Sequence, residues 1–291
     1  MDYKTIFVPV FDENDVTASI SSALNIAKSF KAHVVGYHVR EPFSMGYNVE
    51  YYPLSLEAVE ITRKDHMKAC SEVAQVLNDT FDEQCAVQKV EVVLLSDASD
   101  KDNETASWID ATEPLPWNLG SEARLSDLII MQVPDEEKQP IKQGLLTTML
   151  FETGRPVLFP AVGHNFETMP QHIAIAWDGT REAASALLAS LPFLKQAKKI
   201  DVLTVGEIEK PLPEAEQVCD YLARLGVEAS AHLLPHNTGS ISGKIQDYIS
   251  THKIELLVMG AYSHSRLREM IFGGVTRHLL QQNEITVLMK H

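Results

Sequence analysis

The sequence predicts an α/β fold made of two tandem domains, each a parallel sheet covered on both faces by helices. Three observations predict it. The 291 residues are enough for two domains of ordinary size. The first half parallels the second, segment by segment. Within each half, short strands rich in Val, Ile and Leu alternate with stretches of helical period.

The repeat begins with the first strand. "TIFVPVFDENDVTASISSALNIAKSFKAHVVGYHVRE" (5–41) parallels "HIAIAWDGTREAASALLASLPFLKQAKKIDVLTVGE" (172–207). Each has an apolar strand ending in an acid, Asp12 or Asp178, then a helix with apolar residues every three or four positions, then a second apolar strand. Further on, "SDLIIMQV" (126–133) parallels "IELLVMGA" (254–261), and "GLLTTMLFETGRPVLF" (144–159) parallels "GVTRHLLQQNEITVLM" (274–289). The seam falls at about 160–170, giving domains 1–163 and 170–291. In the second domain the period predicts helices over 181–194, 213–225, 240–252 and 274–282. The first adds a long helical stretch over 54–81 and a loop-like insert at 112–120, "TEPLPWNLG".

Composition narrows the function. Hydrophobic content of 45% and charged content of 22% fit a globular protein with real cores. No apolar run approaches the ~20 residues needed to cross a bilayer, and the N-terminus goes straight into a strand pattern without a signal-like region. Three widely spaced cysteines, Cys70, Cys85 and Cys219, argue against a disulfide framework and for a reducing compartment, the cytoplasm. The net charge of −15 sits mainly in residues 1–165, with 26 acids against 13 bases. Residues 166–291 hold 14 acids and 12 bases, so the second half tolerates an anionic ligand better. No basic stripe is visible, which predicts neither nucleic acid nor anionic membrane as a partner.

The chain has 14 glycines, and three of them fall in "VMGAYSHSRLREMIFGGVTRHLL" (258–280). Open α/β sheets bind ligands beyond the carboxyl ends of their strands, where the strand order reverses. A phosphate there needs unhindered backbone N–H groups and a helix N-terminus. Gly260 can end the strand in a conformation closed to other residues, and Gly273 and Gly274 can present amides at the start of helix 274–282. Thr276 can add a hydroxyl, and Arg266 and Arg268 can add charge. Spacing alone leaves open a plain glycine-ended strand and glycine-started helix with nothing bound.

These residues resemble the nucleotide loop of the universal stress protein family, written Gly-x2-Gly-x9-Gly-Ser/Thr. Here it reads Gly260, Ala261, Tyr262, Ser263, nine residues from His264 to Phe272, then Gly273 and Gly274. The resemblance extends over both halves and implies a tandem universal stress protein. It implies an open, mostly parallel five-stranded sheet per domain, of the adenine nucleotide alpha hydrolase-like kind. It also implies ATP as ligand, with or without Mg²⁺. By position, adenine and ribose contacts would fall on Asp178 and Val205. Phosphate and ribose contacts would fall on Gly260, Ser263, Gly273, Gly274, Val275 and Thr276, with Met259 beside them. Two departures matter: Ser263 replaces the second glycine, and Gly274 replaces the Ser/Thr. They imply weaker nucleotide binding than a full motif would give, or adaptation to another phosphate ligand. In the first domain Gln132 stands where Gly260 does, and Pro134, Asp135, Glu136, Glu137 and Pro140 fill the loop. Three adjacent carboxylates repel a triphosphate and proline removes donors, so no ATP is expected there.

Other candidates have plainer readings. Asp178 in "WDGT" also suits a turn before a helix capped by Thr180. "HLLPH" (232–236) places His232 and His236 on a strand edge and its loop, with no third ligand for a metal. His264 can touch a phosphate or face solvent. "SDASDKDNETASWIDA" (96–111) lacks the glycine and terminal glutamate of a calcium loop and reads as a charged helix start. Phe43, Tyr47, Tyr51 and Tyr52 can seal the core or roof a small apolar ligand. No nucleophile–base pairing and no Walker lysine motif is visible, so any ATP hydrolysis would be slow. The leading expectation is a cytoplasmic nucleotide-binding regulatory module, not a committed enzyme. The alternatives are a slow ATP hydrolase and a nucleotide-independent interaction or small-ligand-binding protein. In the resembled family the last strand of each unit pairs units together. That implies an intramolecular pseudo-dimer through 155–160 and 285–289, and leaves a homodimer of chains open.

Overall fold

A computed structural model describes residues 2–11, 16–40, 43, 55–100, 102–111, 116–133, 140–206, 213–235, 240–261 and 284–291. The first half runs β1 (Thr5–Val10), α1 (Val16–Phe30), β2 (His33–Val39), α2 (Leu56–Gln88), β3 (Glu91–Val92), a 3-10 turn (Leu95–Asp100), β4 (Thr105–Ala111), α3 (Pro116–Ala123), β5 (Leu128–Ile130), α4 (Pro140–Phe151) and β6 (Val157–Phe159). The second runs β7 (His172–Ala176), α5 (Arg181–Ala189), α6 (Leu191–Leu194), β8 (Lys199–Val205), α7 (Ala215–Arg224), β9 (Ser230–Leu234), α8 (Ile241–His252), β10 (Leu256–Gly260) and β11 (Thr286–Lys290).

The strands form one 11-stranded sheet in the order β3-β4-β2-β1-β5-β6-β11-β10-β7-β8-β9. Every pair is parallel except β6 with β11, where Val287, Leu288 and Met289 face Phe159, Leu158 and Val157. The two terminal strands therefore meet within one chain. Outward from that joint both halves use the same order by sequence: last strand, fourth, first, second, third. The first half adds the two-residue β3 at its outer edge, a sixth strand beyond the expected five.

Helices cover both faces because the central strands are apolar on both. Ile6, Val8 and Val10 face one core with Leu24, Phe81, Ala186 and Leu222, under α1, α2, α5 and α7. Phe7 faces the other, with Leu119, Leu146 and Ile249, under α3, α4 and α8. Across the seam the Tyr3 hydroxyl donates to the Ala189 carbonyl at 2.6 Å, and Tyr3 packs edge-on against Phe30 and Phe193.

Several local expectations need correction. The helix expected over 181–194 breaks at Ser190, because Pro192 has no N–H to continue the ladder and sits in the first turn of α6. The long first-half helix extends to Gln88, seven residues past the expected end, and is closed by Lys89 in a left-handed conformation. The 112–120 insert is helical from Pro116 onward, a proline suited to a first helical turn. Residues 96–111 form a short 3-10 turn followed by β4, not a helix start. Helix 274–282 lies outside the described residues.

Candidate functional site

In the second half the strand order around the first strand is β10-β7-β8. The chain leaves β7 toward β8 and returns on the other side as β10, so the order reverses between β7 and β10. Helix α5 starts beside that crevice, and β10 ends there. Asp178, Val205, Met259 and Gly260 all lie at the carboxyl ends of these three neighbouring strands. Val205 and Met259 share one face of the sheet with Ala176 and Ala261.

Each has a local role as well. Asp178 is exposed, and its Oδ1 accepts from the Thr180 amide at 3.0 Å and the Thr180 hydroxyl at 2.6 Å. Thr180 in turn caps α5 by accepting from the Ala183 amide. Gly260 is an ordinary strand residue paired with Lys290, and its φ is not positive. The expectation of a left-handed strand end is wrong. Glycine is needed there because a Cβ would stand 2.6 Å from the Ala183 nitrogen and 2.8 Å from the Glu182 carbonyl carbon. It lets the first turn of α5 sit directly on β10. The left-handed positions are instead Gly179 (φ 79°) and Gly206 (φ 76°), just past β7 and β8. Sequence reasoning missed both, although the Asp-Gly and Val-Gly pairs that follow apolar runs were the signal.

Glu182 was also missed. It is buried in the first turn of α5 and takes a hydrogen bond from Arg181 Nε. Burial pushes its carboxyl up, but the Arg181 bond, its own backbone amide and nearby His291 outweigh this and hold it below the usual range. Ser263, Gly273, Gly274, Val275 and Thr276 lie outside the described residues, as do His264, Arg266 and Arg268.

The first half differs at the same end. Beyond β2, in the place of Gly206, stands Arg40, which grips Asp110 of β4 through Nε at 3.1 Å and Nη2 at 2.6 Å. His38 Nδ1 joins at 3.0 Å. The Arg40 bond, opposed by burial and aided by His38, keeps the Asp110 carboxyl below the usual range. A bidentate pair thus sits where the second half has Gly206 and Leu233. Asp12, Asp135, Glu136 and Glu137 lie outside the described residues.

The other charged cluster of the second half sits at the opposite, amino-terminal end of its strands. Asp201 on β8 is fully buried. It meets His172 Nε2 at 2.6 Å, His232 Nε2 at 3.2 Å, the Tyr248 hydroxyl at 3.1 Å and Lys199 Nζ at 3.5 Å. Burial raises its carboxyl, yet the bonds from His172 and Tyr248 and the charge of Lys199 hold it below the usual range. The cluster ties β7, β8, β9 and α8 together. His232 uses Nε2 on Asp201, and His236 lies outside the described residues. Among the described residues no group of three or more His, Cys, Asp or Glu could hold a metal. No helix there is long and apolar enough to cross a membrane.

Residues 218–291 match the model of the universal stress protein family. That match takes in α8, β10, the stretch after it and β11. The universal stress protein Slr1230 of Synechocystis is 31% identical over 137 residues, 42% of this chain and 43% of that protein. The alignment thus spans less than half of that universal stress protein's length. Among solved structures, a universal stress protein from Archaeoglobus fulgidus superposes with a TM-score of 0.67 at 12% identity, over 98% of this chain and 97% of the other. A putative universal stress protein from Pseudomonas aeruginosa gives 0.55 at 15% identity, over 99% and 93%. At these identities the likeness is one of fold: an α/β, mostly parallel sheet flanked by helices, as in solved universal stress proteins.

Proposed function

We propose that the chain is a tandem universal stress protein that binds ATP, or a closely related nucleotide, in its second half only. It acts as a cytoplasmic regulatory module and not as a committed enzyme, with at most slow ATP hydrolysis. One observation carries this reading. Asp178, Val205, Met259 and Gly260 meet at the carboxyl ends of β7, β8 and β10, where the strand order reverses and where such folds take their ligands. The glycine-containing stretch 260–276 leaves from that same point.

The residues fit a nucleotide in three ways. Gly179, Gly206 and Gly260 keep the strand ends free of side chains. Asp178 can accept from a ribose hydroxyl or an adenine amine. Glu182 would oppose phosphate charge, but Arg181 beside it offsets that. Gly260, Ser263, Gly273, Gly274, Val275 and Thr276 would supply amides and hydroxyls to the phosphates, with Mg²⁺ accompanying them when bound. The first half would serve as the scaffold that covers β11, with Arg40 and Asp110 closing the matching end.

The test pairs two measurements. Mass spectrometry of small molecules released from freshly purified protein should find an adenine nucleotide. Gly273→Asp should abolish ATP binding in calorimetry while leaving the circular dichroism unchanged. Full affinity in that variant would mean that the phosphate site lies elsewhere.

A further inference from the structure

The α3 face of the first half holds a cavity of about 480 Å³ at the amino-terminal side of β1, β2 and β4. Its floor is apolar: Phe7, Val35, Tyr37 and Ile109, with the Phe7 and Tyr37 rings 5.4 Å apart and tilted by 33°. It exists because α3 and α8 cover their sheets differently. In the second half α8 packs on β8, and Tyr248 donates to Asp201, the residue in the place of Val35. In the first half α3 leans on α4 instead. A Cβ on Gly120 would stand 2.9 Å from Thr148 Cγ2, so α3 approaches α4 as closely as it can. The eight-residue α3 does not pack on β2 as the twelve-residue α8 packs on β8.

The wall chemistry selects a ligand class. Leu95 and Leu125 also line the cavity, yet they are 51% and 80% exposed. Lys4 and Lys31 line it too, with the carboxylate of Glu122, and Asp127 stands beside them, accepting from the Lys4 and Thr5 amides at 2.8 and 3.0 Å, so the wall carries both signs. Lys4 Nζ is held in place by the Phe30 carbonyl at the end of α1, at 3.1 Å. His33 adds no charge. Its ring nitrogens are engaged by the hydroxyls of Thr105 at 2.8 Å and Ser107 at 2.9 Å, and burial pushes its pKa down to about 4. A cavity of this size, mostly apolar with a few polar groups, has the character of a small-molecule site.

We infer that this cavity binds a small aromatic carboxylate, with its ring against Phe7, Val35 and Tyr37 and its carboxylate toward Lys4 and Lys31. A phosphate-rich ligand would find too few donors, and a neutral ring would gain nothing from the two ammonium groups. The site lies in the other half of the chain from the nucleotide crevice, across the β6–β11 joint, and does not depend on it.

The probe is 2-naphthoate, titrated into the full-length protein by calorimetry and ¹H–¹⁵N correlation spectra. Saturable one-to-one binding is expected, with 2-naphthalenemethanol, the neutral counterpart, about tenfold weaker. Val35→Phe fills the floor and should weaken naphthoate about tenfold or more. Leu125→Glu places an anion at an exposed wall position, where folding is insensitive, and should also weaken it. Absence of saturable binding, equal affinity for the neutral probe, or undiminished affinity in the Leu125→Glu variant would each overturn the proposal.

Discussion

Gly260→Ala separates the packing role of this glycine from its suggested nucleotide role. The added methyl would lie 2.6 Å from the Ala183 nitrogen, 2.8 Å from the Glu182 carbonyl carbon and 2.9 Å from Glu182 Cβ. Two of those atoms are backbone, so no rotamer change can relieve the contact. A normal separation requires α5 to slide by roughly 0.8 Å against β10, disturbing Ala183, Ala186 and Leu187 in the core beneath. Overpacking of this kind costs about 1–3 kcal/mol. The lower entropy of an alanine in the unfolded chain offsets about 0.4–1 kcal/mol of that. A net loss near 1 kcal/mol corresponds to a fall of about 2–4 °C in the melting temperature for a chain of this order of size. Gly144→Ala is the internal control, because its Cβ would meet nothing within 4 Å and its helical position favours alanine by up to about 1 kcal/mol. Differential scanning calorimetry of both variants decides the matter. If Gly260→Ala melts with the wild type, or if both variants fall equally, the close approach of α5 to β10 is not what requires glycine.

Three further outcomes are expected. Asp201→Asn should lower stability at pH 7 by about 2–4 kcal/mol in urea unfolding, since several donors converge on that one buried carboxylate. Because its folded pKa is depressed, its stabilisation is present above the ordinary carboxylate pKa and is lost as pH falls through the folded value. The variant should therefore show a flatter acid limb below about pH 4, and an identical limb would count against a charged Asp201. His33 acts in a higher pH window: with a folded pKa of about 4 against 6.5 unfolded, it is neutral in the fold, so stability falls as pH drops from about 6.5 toward 4. His33→Gln should flatten that stretch of the stability profile, and an unchanged slope between pH 7 and 5 would show that His33 carries no such linkage.

The sheet was legible because burial on both faces writes itself as continuous apolar runs. "TIFVPV" and "IELLVMG" need no alternation, and the repeat of such runs at matching intervals gives the twofold plan without any motif. The last strands of the two units, "RPVLFP" and "ITVLM", were legible for the same reason, but that they pair with each other was implied only by the family resemblance, not by their residues. Boundaries were less legible where a competing preference intervened. Pro192 splits an apolar helical pattern that the period alone would carry through. In α2, only Ala74, Leu77, Phe81 and Cys85 are buried, so its first turns carry little core signal and its end is set by a left-handed lysine that no pattern predicts.

At the site, the strand-end residues were legible and the reasons for them were not. Gly260 was named for a phosphate, whereas the structure gives it a packing reason: a helix some 80 positions earlier in the chain that only the folded molecule brings against it. Asp201 is the sharper case. In the sequence it is one acid in "KIDVLTV", where strand alternation would place it among the apolar positions of one face. The residues that make it tolerable there, His172, His232 and Tyr248, are 29, 31 and 47 positions away. A charged residue at an apolar strand position implies either a partner set or a mistaken strand, and "HIAIA", "SAHLL" and the tyrosine of the next helix were the places to look for partners. The same logic applies across the repeat. Val35 holds that position in the first half, so among the described residues the polar network has no counterpart there, and α3 does not pack on β2 as α8 packs on β8. The divergence of the two halves is thus concentrated in how the helix before the fourth strand meets the sheet, and that one change both pins α8 in place and leaves the cavity open under α3.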